Sequence, residues 1–281
     1  MSTPAPNLLP RSPWPPPPGG TWVVDLDGVI WLAGQPIAGV DQAIASLRHA
    51  GVRVLFATNN SAPTRAELHA RMANCGITTT DEDLLSSADV AADMLAPGTT
   101  AHVLADDGVR EALERRGVRL VDHGPADAVV VGWTRTFTFD AVDQAARAVR
   151  AGARLIGTNE DPTHPTPDGL LPGSGALLAA VATASETVPE VAGKPHRPTA
   201  DAIRARATDI RVMVGDRPAT DGVLAVQLGV PFALVLSGVT SAPAPALAPT
   251  DAPVAAVVAT DLPDLVRTTL APSEQEPLAT S

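Results

Sequence analysis

The stretch Thr21-Trp-Val-Val-Asp-Leu-Asp-Gly-Val-Ile30 carries the most structural information in this sequence. Its residues Trp22–Asp25 are apolar up to the final acid, as in a strand buried on both faces of a sheet. Asp27 follows two residues later, so in an extended chain both carboxylates lie on the same side. Two like charges this close repel unless a cation or a reaction uses them. The stretch predicts either a magnesium site with a nucleophile and a proton donor, or an ordinary Asp turn.

Outward from this strand, short β-rich runs alternate with segments of helical spacing. Further strands are predicted at 52–57, 101–105, 127–131, 154–157, 211–214 and 232–236, and helices at 41–50, 65–74, 108–116, 139–150, 174–184 and 219–228. Strands that are almost continuously apolar and alternate with helices indicate parallel sheets covered on both faces. The predicted fold class is therefore α/β, and ligands of such sheets bind beyond the carboxyl ends of the strands.

Length and charge narrow the functional classes. The 281 residues suggest two domains, or one domain with a large insertion. A net charge of −11 argues against nucleic acid and against an anionic membrane surface as partners, and a single cysteine excludes an internal disulfide. The Pro-rich residues 1–20 are predicted to be a disordered arm without the features of a secretory signal, so a cytoplasmic protein is expected. Residues 241–253 are predicted to be a loop, and 271–281 a flexible tail.

Three further polar groups follow predicted strands or precede helices. Thr58-Asn-Asn-Ser61 offers a hydroxyl and backbone N–H groups suited to an oxyanion, although an ordinary N-cap has the same composition. Lys194 is the one lysine among twenty basic residues, which weakens the alternative of an ordinary surface lysine. Asp216 comes directly after a predicted strand and Asp221 five residues later, so both could hold Mg²⁺ or cap a helix.

Together the segments DLDGV, TNNS, GKP and GDR…TD, at residues 25, 58, 193 and 215 onward, resemble the four motifs of the haloacid dehalogenase superfamily. The resemblance is to its phosphatase branch, and there to the NagD-like or p-nitrophenylphosphatase group, which has a large α/β cap. It implies a Rossmann-like, doubly wound core over residues 21–79 and 193–270, with the α/β cap inserted at 80–192. Trp31, just past the first motif, either shapes the entrance to the site or belongs to the core.

The resemblance also implies a role for each motif residue. Asp25 would attack phosphorus and become an aspartyl phosphate, and Asp27 would protonate the leaving oxygen and then activate water. The phosphoryl oxygens would be bound by Thr58, Asn59 and Asn60, with Lys194 balancing charge. The carboxylates of Asp25 and Asp216 and the backbone carbonyl of Asp27 would hold Mg²⁺, and Asp221 would orient this group. On the cap, the expected substrate contacts are Asn159, Asp161 and His164, which otherwise shape the cap loop.

The expected function is a Mg²⁺-dependent phosphomonoesterase acting on a small soluble metabolite. Glycerol 3-phosphate is slightly favoured by analogy with phosphatases that have such caps, and sugar, pyridoxal and nucleoside monophosphates also fit. The alternatives are a phospho-aspartate switch, a phosphomutase and a non-catalytic binding protein. The second Asp of the first motif and the long insertion argue against the switch, and the position of the insertion argues against the mutase. A homodimer formed through the cap is also expected from the resemblance.

Overall fold

The structure, a computed structural model, describes residues 14–166, 169–240 and 253–271. Helices and strands alternate there as the apolar pattern predicts. The strands are β1 (Thr21–Val24), β2 (Trp31–Leu32), β3 (Gln35–Pro36), β4 (Arg53–Thr58), β5 (Leu84–Ser86), β6 (Thr100–Leu104), β7 (Arg119–Leu120), β8 (Ala128–Val131), β9 (Arg154–Gly157), β10 (Thr163–Thr166), β11 (Gly169–Pro172), β12 (Glu190–Val191), β13 (Ile210–Gly215), β14 (Phe232–Val235) and β15 (Val257–Ala259). The helices are α1 (Val40–His49), α2 (Arg65–Asn74), α3 (Ser87–Asp93), α4 (Asp107–Arg115), α5 (Phe139–Arg150), α6 (Ser174–Ser185), α7 (Arg197–Arg206), α8 (Val223–Leu228) and α9 (Leu262–Leu270).

The core is a parallel sheet with the strand order β15-β14-β13-β1-β4-β5. β1 lies inside this sheet, where Trp22 is paired with Val54 of β4 and Val212 of β13. Trp22, Val23 and Val24 are at most 2% exposed, which explains why this strand lacks polar alternation. Because the strands are parallel, their carboxyl ends meet at one edge of the sheet, and the polar motifs follow there.

Helices cover both faces of the core sheet. On one face, Trp22 and Val24 pack with apolar residues of α1, α2 and α9. On the other face, Val23 and Leu55 pack with residues of α3, α7 and α8. Since successive side chains of a strand point to opposite faces, a continuously apolar strand supplies both clusters. The predicted α/β class with a doubly wound parallel core is confirmed.

A second parallel sheet, with the order β12-β9-β8-β6-β7, forms the cap. α5 and α6 pack on one of its faces around Val129, Val131 and Leu155. Its other face, with Ala101 and Val130, joins the apolar cluster that contains Val23 of the core. The inserted α/β cap predicted from the sequence is therefore present, and it shares an apolar cluster with the core.

The predicted start of the cap at residue 80 is wrong. β5 pairs in parallel with β4, with Leu84 opposite Phe56, so residues 84–86 extend the core sheet. The strands of the cap sheet begin only with β6. β5 is three residues long and lies between the short 3₁₀ helix Asp81–Asp83 and α3, so it carries too little periodicity to be recognised from sequence.

The helix predicted over 219–228 begins with a π turn. A single π turn covers Pro218–Gly222, and α8 starts only at Val223. In this turn the N–H of Asp221 donates to the Arg217 carbonyl at 2.8 Å. The turn brings Asp221 back against the end of β13, where a Cβ on Gly215 would lie 2.2 Å from the Asp221 carboxyl carbon.

The predicted disordered arm is partly described. Trp14 packs on Trp22 with ring centroids 6.2 Å apart, so disorder was the wrong expectation for this part of the arm. Residues 1–13, the predicted loop up to residue 252, and 272–281 of the predicted tail lie outside the described residues. Among the helices that are described, none has the length and apolar character needed to cross a membrane.

Candidate active site

The four sequence motifs meet at the carboxyl edge of the core sheet. Asp25 follows β1, Thr58 ends β4 and Asp216 follows β13, while Lys194 reaches the same point from the loop before α7. A cleft between core and cap opens onto this edge. It is lined by Asp25, Asp27, Thr58, Asn59, Asn60, Ser61, Trp133, Asn159, Asp161, Thr163, His164, Gly173, Ser174, Lys194, Arg217 and Thr220. Asp216 lies beside it, in an adjoining pocket that also contains Asp27, Trp31 and His164.

Lys194 is buried between two carboxylates. Its Nζ donates to Oδ1 of Asp25 at 2.7 Å, to Oδ1 of Asp221 at 2.8 Å and to the Ala57 carbonyl at 3.1 Å. All three ammonium donors are therefore satisfied, as burial of this charge requires. Burial alone would lower the pKa of Lys194, but the Asp221 and Asp25 carboxylates outweigh it and raise the pKa. The side chain is a fixed cation beside the predicted nucleophile.

Asp216 has one oxygen that nothing satisfies. Its Oδ2 accepts from the Val239 N–H at 2.6 Å, whereas Oδ1 is buried and lacks a hydrogen-bond partner within the described ranges. Burial and the nearby charge of Asp221 raise the pKa of Asp216 to about 6. Burial also raises the pKa of Asp25, against the pull of Lys194. Burial therefore disfavours the charged forms of these two acids, and a nearby cation would offset that cost.

A divalent cation fits this arrangement. Single carboxylate oxygens of Asp25, Asp216 and Asp221 all lie within 4.8 Å of one another. Both oxygens of Asp221 are already bonded, Oδ1 to Lys194 and Oδ2 to the Arg217 N–H at 3.1 Å, so Asp221 suits the predicted orienting role. The unsatisfied Oδ1 of Asp216 and the Asp25 carboxylate are the hard oxygen ligands that Mg²⁺ prefers.

Glycines allow the backbone to approach Asp216 closely. Gly28 has a φ of +85°, and a Cβ there would lie 2.6 Å from Oδ2 of Asp216. A Cβ on Gly238 would lie 2.0 Å from the same oxygen. A side chain at either position would clash with the Asp216 carboxylate, so the glycine of the DLDGV motif has a structural reason.

The two oxygens of Asp27 have different neighbours. Oδ1 accepts from the indole Nε1–H of Trp31 at 2.9 Å, and Oδ2 lies 3.4 Å from the Thr58 hydroxyl. The Gly28 N–H donates to the Trp31 carbonyl at 2.7 Å, which closes the turn that places the indole over Asp27. The Thr58 hydroxyl also accepts from the Asn60 N–H at 3.0 Å. Thr58 therefore connects Asp27 with the TNNS loop.

The side chain of Asn59 is bonded entirely to protein. Its Oδ1 accepts from the Lys194 N–H at 2.7 Å, and its Nδ2 donates to the Lys194 carbonyl at 3.0 Å and to Oδ2 of Asp161 at 3.1 Å. Any contact of Asn59 with phosphate is therefore left to its backbone N–H. Asn60 forms a local turn, because its Oδ1 accepts from the Ala62 N–H at 3.2 Å.

The predicted cap residues all reach the cleft, with different bonding. Asn159 is 4% exposed and donates to the Asn59 carbonyl at 2.7 Å, so it fastens the cap loop to the core. Burial raises the pKa of Asp161, against the nearby Arg217 charge. His164 packs on Trp133 with ring centroids 4.9 Å apart, and burial lowers its pKa. The structure thus supports the loop-shaping alternative for Asn159 and leaves Asp161 and His164 as candidates for substrate contact.

Sequence analysis missed some residues of the cleft. Arg217 lies in the quoted GDR motif between the two acids, so its position was a usable signal. Trp133 also lines the cleft, but it belongs to no motif, and nothing in the sequence places it in the same cleft as Lys194. The roles assigned to the predicted site residues stay predictions, although the structure brings these residues together.

Family models identify the class of this chain. A model described as haloacid dehalogenase-like hydrolase matches residues 22–119, and one described as HAD-hydrolase-like matches residues 191–265. A D-glycerol 3-phosphate phosphatase of Mycobacterium tuberculosis is 39% identical, over 78% of this chain and 64% of its own length, which is just under two thirds. A dihydroxyacetone phosphatase of Corynebacterium glutamicum is 35% identical, over 78% of this chain and 82% of its own length.

Solved structures agree with this assignment. A p-nitrophenyl phosphatase from Archaeoglobus fulgidus superposes with a TM-score of 0.80 at 28% identity, over 90% of this chain and 100% of that chain. A glycerol phosphate phosphatase from Mycobacterium tuberculosis, in complex with magnesium, superposes with a TM-score of 0.79 at 35% identity. This match covers 88% of this chain and 76% of that chain. The chain belongs to the haloacid dehalogenase-like hydrolases. Within that family it is a phosphatase, as the motifs predicted.

Proposed function

We propose that this chain is a Mg²⁺-dependent phosphomonoester hydrolase that works through an aspartyl-phosphate intermediate. The arrangement of Asp25 and Asp27 carries the proposal. Asp25 is held by the Lys194 ammonium at 2.7 Å, and Asp27 lines the same cleft beside Thr58. One carboxylate is thus placed next to a fixed cation, as a nucleophile for phosphorus requires, and the other lies in the same cleft, where it can transfer a proton.

Each half of the reaction uses both carboxylates. In the first, an oxygen of Asp25 bonds to phosphorus while the bond from phosphorus to the leaving oxygen breaks, and Asp27 gives that oxygen its proton. In the second, water bonds to phosphorus, the bond to Asp25 breaks, and Asp27 takes a proton from the water. Lys194 keeps its charge in both halves and offsets the negative charge that gathers at Asp25.

Mg²⁺ would be held by the carboxylates of Asp25 and Asp216 and the backbone carbonyl of Asp27. When bound, it would supply the positive charge that neutralises this acidic cluster and the phosphoryl oxygens. The Thr58 hydroxyl and the backbone N–H groups after it would orient the phosphoryl group. Asp221 would hold Lys194 in place through the 2.8 Å bond to its Nζ.

The proposed substrate is a small phosphorylated metabolite, with glycerol 3-phosphate first. The two relatives above are named for D-glycerol 3-phosphate and for dihydroxyacetone, which supports a three-carbon ester. The amide, carboxyl and hydroxyl groups of the cleft suit the hydroxyls of a polyol. Sugar, pyridoxal and nucleoside monophosphates are the alternatives to include in a substrate panel. The charge of −11 supports a soluble metabolite over nucleic acid or membrane, and dimerisation through the cap stays a prediction.

The test is phosphate release from p-nitrophenyl phosphate and from glycerol 3-phosphate, with Mg²⁺ and with EDTA. Wild-type turnover should need the metal, and Asp25→Asn should lose activity on the order of 10⁴-fold or more, because the nucleophile is gone. Asp201→Asn is the matched control, since Asp201 is exposed on α7. Full activity of Asp25→Asn would refute the proposal. A stable phosphoprotein without phosphate release would favour the switch instead.

A further inference from the structure

The side chain of Trp31, which follows the DLDGV motif, contacts the carboxylate of Asp27, the proposed proton donor. Its indole donates to Oδ1 of Asp27 at 2.9 Å, while the backbone bond from Gly28 fixes the turn between them. Trp31 is 4% exposed and belongs to the apolar cluster on one face of the core sheet, so the ring is held firmly. The indole of Trp133, by comparison, donates to a backbone carbonyl, that of Pro172, at 3.0 Å and not to a carboxylate.

The indole bond makes the two oxygens of Asp27 chemically different. An indole N–H can donate but cannot accept, and the oxygen of a carboxylic acid that carries no proton is the better acceptor for it. While that bond persists, it favours the proton of the acid form on Oδ2. Oδ2 lies 3.4 Å from the Thr58 hydroxyl, and Thr58 is a residue of the cleft floor. The Thr58 oxygen can donate to Oδ2 when that atom is unprotonated and can accept from it when it is protonated.

We propose that Trp31 is the positioning residue of the proton donor: its indole holds Oδ1 of Asp27, so that Oδ2 exchanges the proton with the leaving oxygen and with water. This rests on the proposed function. In the first half-reaction the Oδ2–H bond breaks as the leaving oxygen gains the proton. In the second, Oδ2 gains a proton from the attacking water, so Asp27 returns to its starting form.

The readout is the dependence on the leaving group. An alkoxide such as that of glycerol must be protonated as it departs, whereas p-nitrophenolate is stable enough to leave unprotonated. Loss of the indole donor should therefore harm alkyl esters far more than aryl esters. A packing defect at Trp31 would instead harm both substrates alike, because both use the same nucleophile and cation.

The experiment measures kcat/KM for glycerol 3-phosphate and for p-nitrophenyl phosphate in Trp31→Phe, which keeps a ring but removes the donor. The first value should fall by about 10-fold or more and the second by less than about 3-fold, since orientation of a general acid is lost and not the acid itself. Trp14→Phe makes the same exchange at the edge of the same cluster, away from Asp27, and should change neither. If Trp31→Phe does not fold, Trp31→Met also lacks the donor.

A double mutant separates the proposal from a structural role. In an Asp27→Asn background, Trp31→Phe should change the ratio of the two kcat/KM values by less than about 2-fold, because the residue acts through Asp27. Equal losses on both esters in the single variant, or a selective loss that persists without Asp27, would overturn the inference alone. A folded wild type that hydrolyses neither ester with Mg²⁺ would overturn the proposed function, and this inference with it.

Discussion

Replacing Lys194 by methionine should strongly destabilise the metal-free protein. The Lys194 side chain is 3% exposed, and its Nζ contacts Asp25 and Asp221 at 2.7 and 2.8 Å. Carboxylate oxygens of these two residues and of Asp216 lie within 4.8 Å of one another. Methionine fills a similar volume but has no charge, so it leaves buried carboxylates without their cation. The perturbation is therefore electrostatic, with little change in packing.

The expected loss follows from the burial of the pair. Removing one member of a buried ion pair costs about 3–5 kcal/mol, because the remaining charge is uncompensated. For a chain of this size that corresponds to a fall in melting temperature of about 6–20 °C. Burial already raises the pKa values of Asp25 and Asp216, and loss of Lys194 raises that of Asp25 further. The loss should therefore shrink as pH falls and these acids take up protons.

Urea-induced unfolding in EDTA at pH 7 and at pH 5 measures this loss. The matched control is Arg154→Met, because Arg154 pairs with Glu190 at 2.8 Å but both side chains are more than 40% exposed. An exposed pair contributes about 0–1 kcal/mol, so the control should stay near wild type. Added Mg²⁺ should restore part of the stability of Lys194→Met. Equal losses in the two variants, or a loss that ignores both pH and Mg²⁺, would refute the electrostatic argument.

Two other substitutions test the same site. The pKa of Asp216 is about 6 in the folded chain, above its ordinary value of 3.8. The folded state therefore binds a proton more tightly than the unfolded state, so the metal-free wild type should lose up to about 3 kcal/mol of stability as pH rises between these two values. Asp216→Asn should abolish that loss in urea titrations and also abolish stabilisation by Mg²⁺; an unchanged pH dependence would contradict this. Asn59→Ala removes the bonds to Lys194 and Asp161, so kcat should fall along with about 1–3 kcal/mol of stability, and an unchanged kcat would contradict the geometry.

The elements that could be predicted from sequence are those with enough residues to show a period. β4 and β13 are six residues each, and α2, α5 and β9 were predicted with their observed bounds. β5 and β15 have three residues each, and β12 has two. Their strand state depends on pairing with a neighbour distant in sequence, as Leu84 pairs with Phe56. Local pattern contains no information about such a neighbour, which is why the cap boundary was placed too early.

The polar edge of the core sheet could be predicted because its residues directly follow the strand ends. Asp25, Thr58 and Asp216 each stand where an apolar run stops, and parallel strands bring such positions to one edge. Lys194 was found differently, through its rarity in a chain rich in arginine. By contrast, nothing local indicates that the Asn59 amide bonds to Asp161, about a hundred residues away, or that Trp133 lies against His164. Those contacts depend on how the cap packs on the core.

The Asn59 side chain shows why core and cap cannot be interpreted separately. One amide bonds to both backbone groups of Lys194, through Oδ1 and Nδ2, and also to the cap carboxylate of Asp161. The Asn59 carbonyl accepts from Asn159 of the same cap loop. The loop that carries Lys194 and the cap loop that carries Asn159 and Asp161 are therefore both bonded to Asn59. We therefore expect a change in the cap loop to alter the surroundings of Lys194 through Asn59. Substitutions at Asp161 or Asn159 and at Lys194 should then not be additive in their effects on stability.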